Sequence, residues 1–298
     1  VPDERSRLLA QRASLLARMR NAAWDGGTDP VRRVHLTLAI DRFLARLLAT
    51  ADPDSWVLKG GYANQLRAPN EARFTEDVDL RIDAPLGRAA GIIAAATAAD
   101  IDDLLGYEIV GDPRVLDGPP CGGLRFSIAA SLVGSSFVSF AADVNSGDAL
   151  VGGLEEYPSD PIVSSLGFVA SSFPVYPVSQ QFAEKLHVLT LPRTQPNTRV
   201  KDLPDMIWYT ERYTFESGRL IDSCVATFDR RAAHPWAPLL PRTPASWAAP
   251  FRAMRAELGI VPATPAEAMV LLGAFLDPIF AGRRGELWDP DLRHWDAP

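Results

Sequence analysis

"VLKGGYANQLRAPNEARFTEDVDLRID", residues 57–83, places Lys-Gly-Gly after one short apolar run and an acid-x-acid pair inside a second. Residues 78–82 alternate as Val, Asp, Leu, Arg and Ile, which predicts a strand. Side chains two apart on a strand share a face, so Asp77 and Asp79 point the same way. Two carboxylates held together repel unless a cation sits between them. Mg²⁺ suits that place, since it takes one or two carboxylates plus substrate phosphates. Upstream, Lys59, Gly60 and Gly61 suit a phosphate, because glycine lets the backbone come close and offers its N–H groups. The spacing is not that of a P-loop, and no GxGxxG follows a strand. The two halves therefore predict one site, with a phosphate at Lys59-Gly60-Gly61 and a metal at Asp77 and Asp79. Two-metal phosphoryl chemistry calls for a third carboxylate from a neighbouring strand. Asp143, closing the apolar segment SFVSFAADV, is the natural candidate, and Asp83 and Asp148 are weaker ones.

Outward from this stretch, residues 4–20 read as an amphipathic helix ended by Gly26, Gly27 and Pro30. Residues 31–49 carry a cleaner apolar stripe of Leu36, Ile40, Phe43, Leu44, Leu47 and Leu48. An alanine-rich helix is predicted at about 87–100. Strands are predicted within 106–145, at YEIV, LRFSIAASLV and SFVSFAADV. Residues 146–178 read mostly as loop. Ser179 then caps a helix containing QQFAEKLHVL, and the capping box Thr264-Pro265-Ala266-Glu267 opens a helix to about Phe280. The order is helices, a small mixed sheet, then helices: an α+β fold with segments 1–50, 51–175 and 176–298.

The 298 residues allow a substantial core, and 47% apolar with 22% charged residues is ordinary for a globular protein. The charged start VPDERSRLLAQR argues against a signal peptide, and no apolar run approaches a membrane span. Cys121 and Cys224 lie far apart in no metal-like spacing, which fits a reducing cytosol. The net charge of −7 is uneven: the first 50 residues hold nine arginines against five acids, a net of +4, leaving −11 elsewhere. That segment is either a phosphate-binding face or a solvated helix surface. The four histidines form no ligand pattern.

"LKGGYANQLR" with "RFTEDVDL" resembles the signature of the AbiEii/AbiGii nucleotidyltransferase toxins, the toxin halves of type IV toxin–antitoxin systems. In that family a GG or GS pair opens a helix and an S-x-D-x-D segment supplies two metal aspartates. Thr75 stands at the Ser position, with Asp77 and Asp79 at the aspartates. "AADVNSGDALV" resembles the family's D-h-x-x-G-D segment and makes Asp143 the third carboxylate. "AEKLHVLTLPRTQPNTRVKDLPDM" resembles its A-E-K…R-x-K-D-x-x-D block, carrying over Glu184, Lys185, Arg199, Lys201, Asp202 and Asp205. The resemblance spans about residues 55–210.

It implies a DNA-polymerase-β-like minimal nucleotidyltransferase core with a C-terminal helical domain. The implied activity is a toxin that moves NMP from an NTP to an acceptor, with Mg²⁺ or Mn²⁺ on Asp77, Asp79 and Asp143. The 3′ end of tRNA is the expected acceptor and a cognate antitoxin the expected partner. A protein hydroxyl as acceptor, or nucleotide binding without turnover, are the alternatives. Phe182, Leu186 and Leu189 facing the core would leave Lys185 projecting into the cleft as a phosphate cation. Lys201, Asp202 and Asp205 are expected at the nucleotide, Asp202 in a catalytic role, although acids at a helix start also have a purely structural use. Thr75 is a candidate control point, or a strand-entry residue satisfying a backbone group. Arg5, Arg7, Arg12, Arg18, Arg20, Arg32 and Arg33, with Arg67 and Arg73, are the arginines available to an RNA backbone.

Overall fold

A computed structural model describes residues 3–23, 29–117, 122–195 and 197–296. The chain divides into two compact units: Val1–Asn70, Phe74–Gly147 and Glu155–Val175 form the first, and Glu71–Arg73, Asp148–Leu154 and Tyr176–Pro298 the second.

The first unit opens with α1 (Glu4–Ala22) and α2 (Pro30–Thr50). Asp3 and Asp29 cap them, accepting from the backbone N–H groups of Ser6 and Arg32, and Pro30 takes the first turn of α2 where its missing N–H costs nothing. There follow β1 (Trp56–Lys59), α3 (Gly60–Arg67), β2 (Asp77–Ile82), α4 (Leu86–Ala98), β3 (Leu105–Ile109), β4 (Arg114–Leu116), β5 (Gly123–Leu132), β6 (Ser135–Asn145), β7 (Glu155–Pro158), α5 (Pro161–Ser165) and β8 (Ser172–Val175). Among the described residues they build one eight-stranded sheet in the order β3-β5-β6-β2-β1-β8-β7, with β4 also pairing β5. The sheet is mixed: β2 runs parallel to β6 and β1 parallel to β8, while β1–β2, β5–β6 and β3–β5 are antiparallel.

The alternation read in the sequence sorts the two faces. Val78, Leu80 and Ile82 of β2 are fully buried and join Leu58, Phe126, Ile128, Ala142 and Val144 in one core with Leu36, Ile40, Phe43, Leu44 and Leu47 of α2 and Ala89, Ile93 and Ala96 of α4. Burying such a stripe contributes about 25 cal/mol per Å² and fixes the register, because a slip of one residue would send every acid inward. Asp77, Asp79 and Arg81 take the opposite face, each half-buried.

Two arginines of the basic first segment belong to this core. Arg46 is fully buried, its Nη2 2.6 Å from Asp103 Oδ1 and its guanidinium over the Tyr107 ring, and Arg42 Nε donates to Asp103 Oδ2 at 2.9 Å.

The second unit contains α6 (Val178–Thr190), α7 (Asp202–Thr210), β9 (Phe215–Glu216), α8 (Ser217–Arg231), α9 (Ala248–Leu258), α10 (Pro265–Phe280), β10 (Leu287–Asp289) and β11 (His294–Asp296). Its aromatic centre stacks Phe275 against Phe182, Phe215 and Trp288 with centroids 4.8–5.3 Å apart. Thr264 caps α10, accepting from Glu267 N–H, while the Glu267 carboxylate accepts from Ala263 N–H.

Several local expectations change. The stretch 146–178 is mostly loop, as expected, but β7, α5 and β8 lie within it, and Pro174 disguised β8 because proline is depleted in strands. Ser179 is not a cap. α6 starts at Val178 behind Pro177, two residues earlier, and the Ser179 hydroxyl accepts from Ser223 inside the unit. The C-terminal unit also carries a small sheet, β11-β10-β9, beside its helices. The proposed breakers Gly26 and Gly27, and Cys121, lie outside the described residues. Cys224 is free and buried. No described helix is long and apolar enough to cross a membrane.

Candidate active site

Strand register assembles the site. In the parallel pair β2–β6, Asp79 stands opposite Asp143. On the other side of β2, Lys59 of β1 stands opposite Asp79. On the other side of β6, Arg125 of β5 stands opposite Asp143, and Arg114 of β4 opposite Arg125. Directly opposed residues share a face. One row thus runs Lys59, Asp79, Asp143, Arg125, Arg114 across five strands, with Asp77 one step along on the same face. Of the three candidates for a third carboxylate, Asp143 is the one in the row. Asp83 lies beyond the end of β2, 3.5 Å from Arg81, and Asp148 is engaged by Arg231 at 2.9 Å in the second unit.

The two glycines are fixed by close approach. Gly60 has φ +71°, and a Cβ there would fall 1.9 Å from Asp79 Oδ2. A Cβ on Gly61 would fall 2.8 Å from the Thr75 Cβ. The start of α3 is therefore packed directly on Asp79 and on Thr75. Thr75 is buried, and its hydroxyl donates to Asp77 Oδ1. Lys59 is buried as well, at the N-cap of α3.

Arg125 was not foreseen. Its Nη2 donates to Asp77 Oδ2 at 3.3 Å, and its Nε lies 2.8 Å from Asp143 Oδ1. The second contact is a charge pair off the N–H axis, since neither Arg125 Nε nor Asp143 Oδ1 has an aligned hydrogen bond. Burial pushes the Asp143 carboxyl up from its ordinary pKa, Arg125 opposes this, and the Asp77 charge adds to it. As the side chains stand, no three His, Cys, Asp or Glu groups among the described residues converge closely enough to hold an ion. A single guanidinium spans two of the acids instead. The donor set nevertheless fits a hard divalent cation: carboxylate oxygens on one face, one of them without an aligned donor.

The second block of sequence candidates forms a cluster within the second unit. Lys185 Nζ lies 2.8 Å from Asp205 Oδ2 and 3.4 Å from Asp202 Oδ1. Arg73 grips Asp205 in a fork at 3.0 and 3.2 Å, and Arg199 Nε donates to Asp202 Oδ2 at 2.7 Å. Burial alone would lower the Lys185 pKa, but Asp205 and Asp202 outweigh it and hold the ammonium charged. Burial likewise would raise Asp205, and Lys185 and Arg73 hold it below the ordinary carboxylate range. Lys201 is the exposed N-cap of α7, and Pro204 falls in that helix's first turn, where proline is tolerated. Glu184 pairs with Arg231 at 3.3 Å.

Arginines offered to RNA are in part otherwise engaged: Arg32 pairs with Glu76 at 3.0 Å and Arg18 donates to the Leu166 carbonyl at 2.6 Å. Arg67 is buried against Glu155 at 3.0 Å and stacked on Tyr157, and Arg73 serves Asp205.

The sequence model of the family described as "Nucleotidyl transferase AbiEii toxin, Type IV TA system" matches residues 42–271. In fold, the chain is similar to MenT4, a nucleotidyltransferase toxin from Mycobacterium tuberculosis H37Rv, at TM-score 0.52 and 19% identity over 92% of this chain and 99% of that one. JHP933 from Helicobacter pylori matches at TM-score 0.40 and 15% identity over 87% and 86% of the two chains. No curated protein matches the sequence. The family match covers most of the chain, both motif blocks included, and the chain belongs to the AbiEii nucleotidyltransferase toxins of type IV toxin–antitoxin systems.

Proposed function

We propose that the acidic row of the first unit is the catalytic centre of a metal-dependent toxin that transfers NMP from an NTP to the 3′ end of tRNA in the cytosol. The observation that carries this reading is the parallel register that sets Asp79 beside Asp143, with Asp77 on the same face. Asp77, Asp79 and Asp143 would hold Mg²⁺ or Mn²⁺, and the ion when bound would neutralise phosphate charge and activate the attacking hydroxyl. The chain's own part is placement. Gly60 brings backbone close to Asp79 and Gly61 to Thr75, so the α3 start suits the phosphates with Lys59 behind it. Thr75 orients Asp77 through its hydroxyl. Lys185, Lys201, Asp202 and Asp205 take the catalytic and nucleotide-binding roles that the family motif implies, Lys185 and Asp202 as the catalytic pair.

An RNA acceptor draws support from the exposed arginines of α1, since Arg5, Arg7 and Arg20 all reach solvent. Phosphate contacts of that kind position an RNA without reading its bases. The test is incubation with each α-labelled NTP, with and without total tRNA. Label on RNA supports the proposal. Label on protein moves the acceptor to a protein hydroxyl, and no label with any NTP leaves a nucleotide-binding module. Asp77→Asn, Asp79→Asn and Asp143→Asn should each abolish labelling while the fold, read by circular dichroism, is kept.

A further inference from the structure

The acids at the centre of the row already share a cation, and it belongs to the protein. Arg125 reaches Asp77 with Nη2 and Asp143 with Nε, its side chain one-third exposed. A guanidinium that was purely structural would be expected to satisfy its acids with aligned hydrogen bonds, as Arg46 does with Asp103 at 2.6 and 2.8 Å. Arg125 instead leaves Nε and Asp143 Oδ1 misaligned at 2.8 Å. Solvent reaches the pair, so separating it carries a smaller desolvation cost than separating a fully buried one.

Placement at this point takes a specific backbone device. The β5–β6 hairpin turns at Val133-Gly134, both with positive φ, and begins pairing at Leu132 with Ser135. Continued without interruption, that register would set Arg125 opposite Ala142. A bulge between Ala130 and Ser131 shifts it by one residue and sets Arg125 opposite Asp143. Bulges re-aim side chains in this way next to functional sites.

We propose that Arg125 is a displaceable internal cation: it holds Asp77 and Asp143 together in the metal-free protein and competes with the divalent ion for them. The inference rests on the metal reading of these carboxylates. Loading requires the guanidinium to leave both acids, so the protein without nucleotide binds metal weakly. A nucleotide that brings its own phosphates gives both the ion and the freed guanidinium a partner. Arg114, exposed and next in the row, places a second positive charge on the side to which Arg125 would withdraw.

The experiment is Mn²⁺ binding to the full chain in the absence of NTP, read by electron paramagnetic resonance, so that no turnover is needed. Arg125→Gln should bind Mn²⁺ at least about tenfold more tightly than the wild type, a difference of about 1.4 kcal/mol. Arg125→Lys, which keeps the charge but loses the planar fork of two nitrogens, should fall between them. The gain should vanish in Arg125→Gln/Asp143→Asn. Equal or weaker binding by Arg125→Gln overturns the proposal, and so does a gain that survives the loss of Asp143. If the substitutions unfold the chain, the wild type still decides: the Arg125 Nε–H resonance must move on adding Mg²⁺ with NTP, and an unmoved signal refutes displacement. Retained Mg²⁺-dependent labelling together with unchanged Mn²⁺ affinity would sink Arg125's role alone. Absent labelling and absent Mn²⁺ binding in every variant would sink the metal reading with it.

Discussion

Gly60, the first residue of α3, is in contact with Asp79 of β2: a Cβ on residue 60 would stand 1.9 Å from Asp79 Oδ2 and 2.9 Å from its Cβ. The clash reaches the root of the aspartate, so rotating the carboxylate does not relieve it, and φ +71° adds backbone strain for any L side chain. Gly60→Ala should abolish transfer and lower stability by at least about 1–2 kcal/mol in urea unfolding. Gly91, exposed in the middle of α4 with nothing within 4 Å of its would-be Cβ, makes the contrast. Gly91→Ala should raise stability by about 0.5–1 kcal/mol and leave labelling unchanged. Equal effects at the two positions would mean that residue 60 answers to helix propensity, not to the acid.

Thr75 donates its hydroxyl to Asp77 from a buried position. Thr75→Ser keeps the donor and should keep transfer. Thr75→Val keeps the shape but withdraws the donor, and should cut transfer severalfold with little change in melting temperature. As a control point the residue would act through charge, since a phosphate adds about −1.5 to −2 beside the carboxylates. Thr75→Glu should then be inactive, and an active glutamate variant would end that idea. Rates with saturating NTP and circular dichroism melts give both readouts.

How much of this was legible follows from which contacts are local. Asp77, Asp79 and the glycine pair lie within 20 residues, and period-two alternation shows which face the acids take. Asp143 was reachable as an acid at the end of an apolar strand, although the parallel pairing with β2 is a tertiary fact. Arg125 was not reachable, because its place beside Asp143 depends on one extra residue in a hairpin whose bulge no composition signal marks. β8 hid behind Pro174. Arg42, Arg46 and Arg67 look like the exposed arginines of α1 in sequence, and only burial against Asp103 and Glu155 separates them.

His187 should give the protein an acid limb. Its ring packs against Phe228 and His234 with centroids 4.9 and 4.6 Å away, and neither nitrogen has a hydrogen-bond partner among the described residues. Burial, helped by Arg231 and His234, lowers its pKa to about 4. The unfolded chain protonates near the ordinary value of 6.5 while the folded one resists, so the unfolded state binds more protons between those values. The contribution is complete above pH 6.5 and is lost as pH falls toward 4, on the order of 3 kcal/mol in all. His187→Phe should flatten that limb in urea unfolding from pH 7 to 4. A limb of unchanged slope would assign the acid sensitivity to other groups.

Lys185 is the hub of a largely buried ionic cluster, and its removal leaves Asp205 with Arg73 alone and Asp202 with Arg199. Lys185→Ala should cost about 3 kcal/mol or more, because breaking a buried pair strands charge. It should also weaken NTP use. Lys185→Met/Asp205→Asn removes opposite charges together and should recover much of the stability without recovering transfer. Recovery of both would make Lys185 a structural residue.

The acceptor prediction turns on which arginines of the first segment are free to meet a phosphate backbone. Arg42 and Arg46 are locked on Asp103, Arg32 is paired with Glu76 at 3.0 Å, and Arg18 donates to the Leu166 carbonyl at 2.6 Å. Arg5, Arg7 and Arg20 are exposed along α1. Replacing these three with Glu should leave the melting temperature and the KM for NTP unchanged and raise the KM for tRNA. Phosphate contacts release counterions, so wild-type tRNA labelling should fall steeply from about 50 to 200 mM salt, and the triple variant should show a shallower slope. Arg46→Glu is the opposite case: it buries a second acid against Asp103 and should unfold the first unit, losing NTP and tRNA reactions together. Normal labelling by the triple variant at every salt concentration would make α1 a structural helix and move the acceptor's contacts to other residues.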